Sequence, residues 1–286
     1  MKKIKINYKS LLIIIILIAI VIIIINTKNK NNINNISDSK ETQIENKLNE
    51  LNNIDKKIKY FDMNKLDRYI EYKNKNTQLS DEQIIKNVNM NLDKEKYIDI
   101  QEAINKNTEE ILVNKYYYLD ENYIPNDLEE LNLEYSREGM KLVNIAKKAF
   151  EKLHKEAKKD NMNIIVMSSY RSYEYQETLY NNYVKKDGKE NADTYSARPG
   201  FSEHQTGLAV DVYNQKTSYT EFENTKEFTW MQNNAYKYGF ILRFPKDKEN
   251  ETGYQYESWH YRYVGLDIAK YIHDKNITLE EYIATK

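Results

Sequence analysis

Two short segments of this chain carry reactive side chains, and the fold has to bring these segments together if they act as one site. The first segment runs from Phe201 to Asp211 and contains His204. The second runs from Glu257 to His260 and lies well downstream. Together they hold two of the 4 histidines in the chain. A loop and two strands therefore have to converge, and this requirement restricts the possible folds more than the overall composition does.

The residue types in the two segments are those of a catalytic zinc site. Two imidazoles and one carboxylate, from His204, His260 and Asp211, supply three protein ligands and leave a coordination position for water. One further carboxylate, Glu257, is available to take a proton from that water. The spacing therefore predicts a metal centre that performs hydrolysis.

Strand periodicity assigns different roles to the two carboxylates. Alternation along a strand places Leu208, Val210 and Val212 on one face, so that Asp211 points away from the apolar side and into a cleft. On a regular strand, the side chain of Glu257 would point to the face opposite that of His260. This favours a role as a catalytic base over a role as a metal ligand.

Other interpretations of the same residues remain open at this point. The first segment alone fits a strand that ends at Asp211 and a surface loop that carries His204, and Glu257 fits a solvated turn. The remaining histidines, His154 and His273, have charged neighbours and are expected at the surface.

Arginine is scarce beside lysine in this chain, so each arginine suggests a need for the planar guanidinium group. Arg171 follows a predicted strand, and a strand end would project it into a cleft, where it can bind a carboxylate or a carbonyl oxygen. Arg243 and Arg262 are expected to form ordinary surface salt bridges.

The N-terminus has the pattern of an export signal. Four lysines precede an unbroken apolar run from Leu11 to Ile25, and such a basic flank stays in the cytoplasm. The run is short for a spanning helix, which needs about 20 residues. No small-residue cleavage site follows, so we favour an uncleaved anchor over a removed signal peptide or a buried helix.

Composition divides the chain further. We expect a single-pass anchor over 1–26, a disordered Asn- and Lys-rich spacer over 27–59, a helical lead-in over 60–111 and a catalytic domain over 112–286. All 7 glycines and all 3 prolines lie after residue 124. The net charge of -1 and the 0 cysteines argue against nucleic-acid binding and against disulfides or lipidation. We expect a monomer with the domain on the cell-wall side of the membrane.

Helices and strands mix in the predicted domain without a regular βαβ rhythm, so the fold class is α+β. Helices are predicted over 137–158, 172–185 and 222–238, the last closed by Gly239, and again from 266 onward. A further helix is predicted after Ser80, whose spacing to Gln83 fits a capping box. Strands are predicted over 163–167, 208–213, 240–244 and 259–264.

The motifs resemble the zinc D-alanyl-D-alanine carboxypeptidases of the VanY type and their L,D-carboxypeptidase relatives such as LdcB. The resemblance covers about 112–275 and leaves 1–100 outside. It rests on the segments Leu112-Val113-Asn114-Lys115, Ser169-Tyr170-Arg171-Ser172, Ala197 to Asp211, Tyr238 to Pro245, and Glu257-Ser258-Trp259-His260.

The resemblance implies a small mixed or antiparallel sheet with flanking helices, the fold of Hedgehog domains and DD-peptidases. It also implies roles for individual residues: zinc ligation by His204, Asp211 and His260, base catalysis by Glu257, polarisation of the scissile carbonyl by Arg171, and substrate contacts by Gln176 and Ser202.

The function that these residues imply is removal of the C-terminal D-alanine from peptidoglycan stem peptides by a zinc-dependent D,D-carboxypeptidase. An L,D-carboxypeptidase that trims tetrapeptide stems is the first alternative. A metal-stabilised cell-wall binding module without turnover is the second, and the presence of Glu257 argues against it.

Overall fold

The computed structural model describes residues 58–286. The predicted anchor over 1–26 and nearly all of the predicted spacer over 27–59 lie outside the described residues. Within 58–286, the structure contains no helix with the length and apolar character needed to cross a bilayer. The chain divides into two compact units, one up to Asp81 and the other Glu82–Lys286.

In the first unit, a short 3-10 helix (Met63–Lys65) leads into α1 (Leu66–Lys75). The Asp62 side chain caps this start by accepting a hydrogen bond from the backbone N–H of Asn64. Such caps satisfy amide groups that the first turn leaves without helical partners. Leu66 and Tyr69 are the buried residues of α1.

The helix predicted after Ser80 is present as α2 (Asp81–Asn89), which begins at the boundary between the two units. Its buried residues are Ile84, Ile85 and Val88, the spacing of one apolar helical face.

The second unit carries the sheets and the remaining helices. The elements in chain order are β1 (Gln101–Glu102), β2 (Tyr117–Tyr118), β3 (Leu128–Glu130), β4 (Lys141–Val143), α3 (Asn144–Lys159), β5 (Ile165–Ser168), α4 (Tyr173–Asp187), α5 (Lys189–Tyr195), β6 (Ala209–Tyr213), α6 (Lys226–Asn234), β7 (Phe240–Leu242), α7 (Glu249–Thr252), β8 (His260–Tyr263), α8 (Leu266–Lys275) and α9 (Leu279–Ala284). Short 3-10 helices cover Glu203–Thr206, Tyr219–Asn224 and Ala235–Tyr238.

The main sheet has four strands in the order β5-β6-β8-β7, and every neighbouring pair is antiparallel. Two smaller pairs accompany it: β1 and β2 are parallel, and β3 and β4 are antiparallel. The predicted α+β class, with a small mixed or antiparallel sheet and flanking helices, is therefore confirmed.

The main sheet separates the core from the candidate site. Leu208, Val210 and Val212 lie in the core cluster with Tyr261 and Tyr263 from β8, as the alternation of strand residues predicts. Residues of the opposite parity on the same strands point to the other face, and these include Asp211 and His260.

Some element boundaries differ from those predicted. The helix predicted from residue 137 begins at Asn144, because Lys141–Val143 forms β4 and pairs with Leu128–Glu130. The helix predicted over 222–238 is α6 with a 3-10 segment on each side. Gly239 ends it at φ 83, as the predicted glycine cap requires.

His154 corrects one surface prediction. Its side chain is 1% exposed, and Nδ1 lies 2.8 Å from the carbonyl oxygen of Ile164. Burial lowers the pKa of this imidazole, and the ring packs edge-on against Tyr135. His273, by contrast, is exposed as predicted and stacks on Tyr236.

Candidate metal centre and active site

Strand register brings Asp211 and His260 together. Asp211 on β6 lies directly opposite His260 on β8, and on its other side it lies opposite Ser168 at the end of β5. Directly opposed residues of antiparallel strands have Cβ atoms about 5 Å apart. The sheet therefore places one carboxylate and one imidazole side by side on the face away from the core.

His204 reaches the same place from a tight turn. The 3-10 helix Glu203–Thr206 carries it, and the Ser202 hydroxyl caps the turn by accepting from the backbone N–H of His204 at 3.4 Å. Gly207 ends the turn at φ +67, and a Cβ there would lie 2.9 Å from Leu128 Cδ2. Only glycine meets both conditions without strain.

The three predicted ligands converge. One ligand atom from each of His204, Asp211 and His260 lies within 4.8 Å of the others, and all three residues are buried. His204 Nε2 is 3.3 Å from Asp211 Oδ2, and His260 Nδ1 is 3.1 Å from Asp211 Oδ1. Two imidazole nitrogens and one carboxylate are a donor set that suits zinc, so these residues fit the metal.

The hydrogen bond at Nδ1 of His204 determines which of its nitrogens can face a metal. This Nδ1 lies 2.7 Å from the carbonyl oxygen of Ser169. Because a carbonyl oxygen only accepts hydrogen bonds, Nδ1 carries the hydrogen, and the lone pair belongs to Nε2. The Nε2 atom is the one that faces Asp211.

Electrostatics around these ligands favour an anionic Asp211. Burial alone would raise the pKa of this carboxyl, but His204 and Arg171 hold it well below its usual range. Burial lowers the pKa of His204 to about 4, with Arg171 acting in the same direction. Burial also opposes protonation of His260, yet its hydrogen bonds to Asp211 and Glu203 raise its pKa to about 9.

Glu257 lies just before β8 and is not part of the converging ligand group. Its Oε2 atom is 3.7 Å from His260 Nδ1, and the side chain is 14% exposed. Burial raises the pKa of Glu257 to about 7; His260 opposes this shift, and the nearby charge of Asp211 adds to it. A carboxylate with a pKa near neutrality is suited to exchange protons during a reaction.

Arg171 extends from the end of β5 over the same group. Its Nη2 atom is 2.5 Å from Asp211 Oδ2. Both Nε and Nη2 donate to the Ser168 hydroxyl, at 3.0 and 2.9 Å. The guanidinium is thus fixed beside the candidate metal position and is still 19% exposed.

The two predicted substrate-contact residues, Gln176 and Ser202, are both buried. Gln176 on α4 is buried and donates from Nε2 to the carbonyl oxygen of Ala197 at 2.8 Å. Among residues 58–286, its Oε1 atom has no hydrogen-bond partner. Ser202 is buried as the cap of the turn.

Two arginines expected at the surface are instead buried behind the site. Arg243 is 1% and Arg262 is 0% exposed, and both donate to Glu203, the residue next to His204. Burial alone would raise the pKa of Glu203, but these arginines hold it below the ordinary value. The scarcity of arginine in the chain was the available signal, and Glu203 was not singled out from the sequence.

The chain is similar to known carboxypeptidases. The family model described as VanY, D-alanyl-D-alanine carboxypeptidase, matches residues 139–266. A putative carboxypeptidase of Bacillus subtilis, YodJ, is 44% identical over 196 residues, which are 65% of this chain and 71% of that protein.

Solved structures show the same similarity. The LdcB LD-carboxypeptidase matches with a TM-score of 0.62 and 40% identity, over 67% of this chain and 92% of that one. A mutant of the vancomycin resistance D,D-pentapeptidase VanY from a VanB-type resistance cassette, in complex with Zn(II), matches with a TM-score of 0.53 and 33% identity. That match covers 61% of this chain and 98% of the other.

The His-Asp-His group could hold the metal of a zinc carboxypeptidase, and the similarities support an enzyme rather than a binding module without turnover. The chain belongs to the VanY family of D-alanyl-D-alanine carboxypeptidases, and it is a zinc-dependent hydrolase.

Proposed function

We propose that this enzyme removes the C-terminal D-alanine from peptidoglycan stem peptides as a D,D-carboxypeptidase, with Zn²⁺ held by His204, Asp211 and His260. The observation that carries the proposal is the convergence of three buried ligand atoms within 4.8 Å. A carboxylate with a raised pKa, Glu257, and a fixed cation, Arg171, lie beside that group.

When bound, Zn²⁺ supplies Lewis acidity, which lowers the pKa of a water molecule and polarises a carbonyl group. The residues around it transfer the proton and stabilise the charge that develops during the reaction. Glu257 accepts a proton from the attacking water, since burial raises its pKa to about 7, which suits proton exchange near neutrality. As the peptide C–N bond breaks, Glu257 returns this proton to the amine nitrogen of the leaving D-alanine.

Arg171 stabilises the charge that develops on the carbonyl oxygen of the scissile bond. Its guanidinium is fixed by Ser168 and Asp211 before substrate arrives, so little reorganisation is needed during the reaction. A donor of this kind typically contributes about 3–4 kcal/mol to stabilisation of the transition state.

Gln176 and Ser202 are proposed to contact the stem peptide. The free Oε1 atom of Gln176 suits a backbone N–H of an extended peptide, because a buried acceptor without a partner is costly. Ser202 lies at the entrance of the turn that carries His204, so its substrate contact and its capping role both depend on one hydroxyl.

Trimming of tetrapeptide stems by L,D-carboxypeptidase activity is the second candidate, and the likeness to LdcB supports it. Purified muropeptides with pentapeptide or tetrapeptide stems, incubated with the zinc-loaded enzyme, distinguish the two by mass spectrometry. We expect loss of one alanine from pentapeptides and unchanged tetrapeptides. Trimming of tetrapeptides alone would replace the D,D assignment, and Glu257→Gln is the control for contaminating activity.

The proposed location is the outer face of the cell membrane, with residues 1–26 as an uncleaved anchor. Support comes from the basic flank and the apolar run from Leu11 to Ile25. Determining the N-terminus of the native protein in the membrane fraction tests the anchor. A mature chain that starts between residues 27 and 40 would show a removed signal peptide instead.

A further inference from the structure

Four charged side chains form a buried cluster behind the candidate metal centre, on the side of His260 away from Asp211. We call Glu203, Arg243, Arg262 and Glu280 the buried charge cluster. Each of the four is at most 4% exposed. They come from the turn before β6, the end of β7, strand β8 and helix α9, so the cluster joins four separate parts of the chain.

The arginines bind one oxygen of Glu203 together. Arg243 Nε donates to Glu203 Oε1 at 2.7 Å, and Arg262 Nη1 donates to the same oxygen at 2.8 Å. Arg243 also binds Glu280 through both terminal nitrogens, at 2.8 and 2.6 Å. This geometry fixes the Glu203 carboxylate in one orientation.

The second oxygen of Glu203 is directed at the candidate metal ligand. Glu203 Oε2 lies 3.4 Å from His260 Nε2, whereas the other ring nitrogen, Nδ1, faces Asp211 and Glu257 at 3.1 and 3.7 Å. Glu203 is not part of the converging ligand group. Its carboxylate and the candidate metal position therefore lie at opposite nitrogens of one imidazole ring.

Packing alone fixes the position of this ring but not its tautomer. The ring of His260 contacts Phe244 and the edge of His204, with ring centroids 4.8 and 5.0 Å apart. The energy of these contacts depends little on which ring nitrogen carries the hydrogen. An ionised carboxylate, however, only accepts hydrogen bonds, so it selects the tautomer with hydrogen on Nε2 and a lone pair on Nδ1.

We propose that Glu203 is a positioning residue for the metal centre: it holds the neutral ring of His260 in the tautomer whose Nδ1 lone pair faces the metal, and Arg243 and Arg262 hold Glu203 in place. The inference rests on the proposed role of His260 as a ligand. Glu280 lies beyond residues 139–266, which match the family model, so helix α9 contributes to the buried charge cluster from outside the matched segment.

Glu203→Gln tests the proposal because it changes the direction of one hydrogen bond. Both arginines need an oxygen at the position of Oε1, so the amide nitrogen of glutamine takes the position of Oε2 and faces His260. An N–H donor there favours the tautomer with hydrogen on Nδ1, which blocks metal binding. We expect zinc affinity to fall about 10–100-fold, measured by chelator competition on the full chain.

Glu280→Gln is the matched control. It is the same isosteric change in the same buried charge cluster, but Glu280 binds Arg243 and Asn114 rather than His260. We expect its zinc affinity to stay within about threefold of the wild type under conditions where both variants are folded. Equal weakening in both variants, or no weakening in Glu203→Gln, would overturn the positioning role.

A measurement on the wild-type chain needs no variant. With ¹⁵N-labelled histidine, the zinc-loaded protein should show His260 with hydrogen on Nε2 and metal on Nδ1, and His204 with the reverse. Hydrogen on Nδ1 of His260 would refute the proposal even if Glu203→Gln failed to fold. His260→Ala separates the two hypotheses: if it keeps zinc, the ligand assignment fails, whereas zinc loss there with unchanged affinity in Glu203→Gln sinks only the positioning role.

Discussion

Two glutamates lie beside His260, one at each ring nitrogen, and their surroundings shift their pKa values in opposite directions. Glu203 faces Nε2 and is bound by two arginines, which keep its pKa below the ordinary value. Glu257 faces Nδ1, and burial raises its pKa to about 7. Both side chains are mostly buried, so burial alone does not separate them; the placement of Arg243 and Arg262 does.

This difference assigns a task to each carboxylate. A group whose pKa lies near neutrality can accept and return a proton within one catalytic cycle, whereas a strongly ionised one remains an acceptor throughout. One carboxylate can thus fix the histidine ring at Nε2 while the other lies beside Nδ1 and acts as a base. Substitution of either glutamate, or of a partner in the buried charge cluster, tests this contrast.

Glu257→Gln should keep the fold and the zinc but lose turnover. Glutamine has nearly the same shape as glutamate but cannot accept a proton from water, and loss of a general base typically costs about 10²–10⁴-fold in rate. Release of D-alanine and zinc content by elemental analysis measure the two properties. Activity within a few-fold of wild type would show that Glu257 is not the base. A variant that is purified without metal would show instead that Glu257 is a metal ligand.

Glu251→Gln is a suitable control for that experiment. Glu251 on α7 pairs with Lys248 and accepts from Thr278, and none of these contacts involves the metal centre. The same isosteric change there should leave release of D-alanine unaltered.

Glu280→Gln should lower the free energy of unfolding of the metal-free protein by about 3 kcal/mol, because removing one partner leaves a buried guanidinium undercompensated. Asp274→Asn, which breaks the exposed pair with Lys270, should cause no measurable change, since exposed pairs contribute little. Denaturant unfolding in the presence of a chelator compares the two variants. Equal stabilities would show that the buried charge cluster does not depend on Glu280.

Zinc affinity should rise with pH by about tenfold per unit between about pH 5.5 and 7. In the metal-free protein the pKa of His260 is raised to about 9, so this imidazole is protonated below that pH and must lose a proton to bind zinc. His204, whose pKa is lowered to about 4, is already neutral. Competition titrations at several pH values measure the slope, and a flat profile would contradict the raised pKa of His260.

Much of the site could be predicted from the sequence because it depends on strand parity and local spacing. Alternation of strand residues predicts that Asp211 and His260 point away from the core and that Glu257 lies off their face. The structure adds the register that places Asp211 directly opposite His260, which depends on strand pairing between distant segments.

The side chains that were wrongly predicted to lie at the surface are those whose burial depends on partners distant in the sequence. Arg243 and Arg262 are expected at the surface because an unpaired buried charge is very costly, and only the folded chain supplies Glu280 from α9. His154 has charged neighbours in sequence, yet its position on α3 points toward Ile164 and Tyr135. The predicted domain boundaries over 1–26, 27–59 and 60–111 remain predictions.

The order of the residues in the chain bears on how the buried charge cluster is assembled. During synthesis Glu203, Arg243 and Arg262 are made before Glu280, so for a time Glu203 is the single anionic side chain of the cluster and faces two guanidinium groups. Arg243 gains its contacts with Glu280 only when α9 docks, whereas Arg262 binds Glu203, Glu109 and Ile111 without α9. A nascent chain that lacks α9 is therefore expected to be less stable, because Arg243 stays buried without its second carboxylate partner.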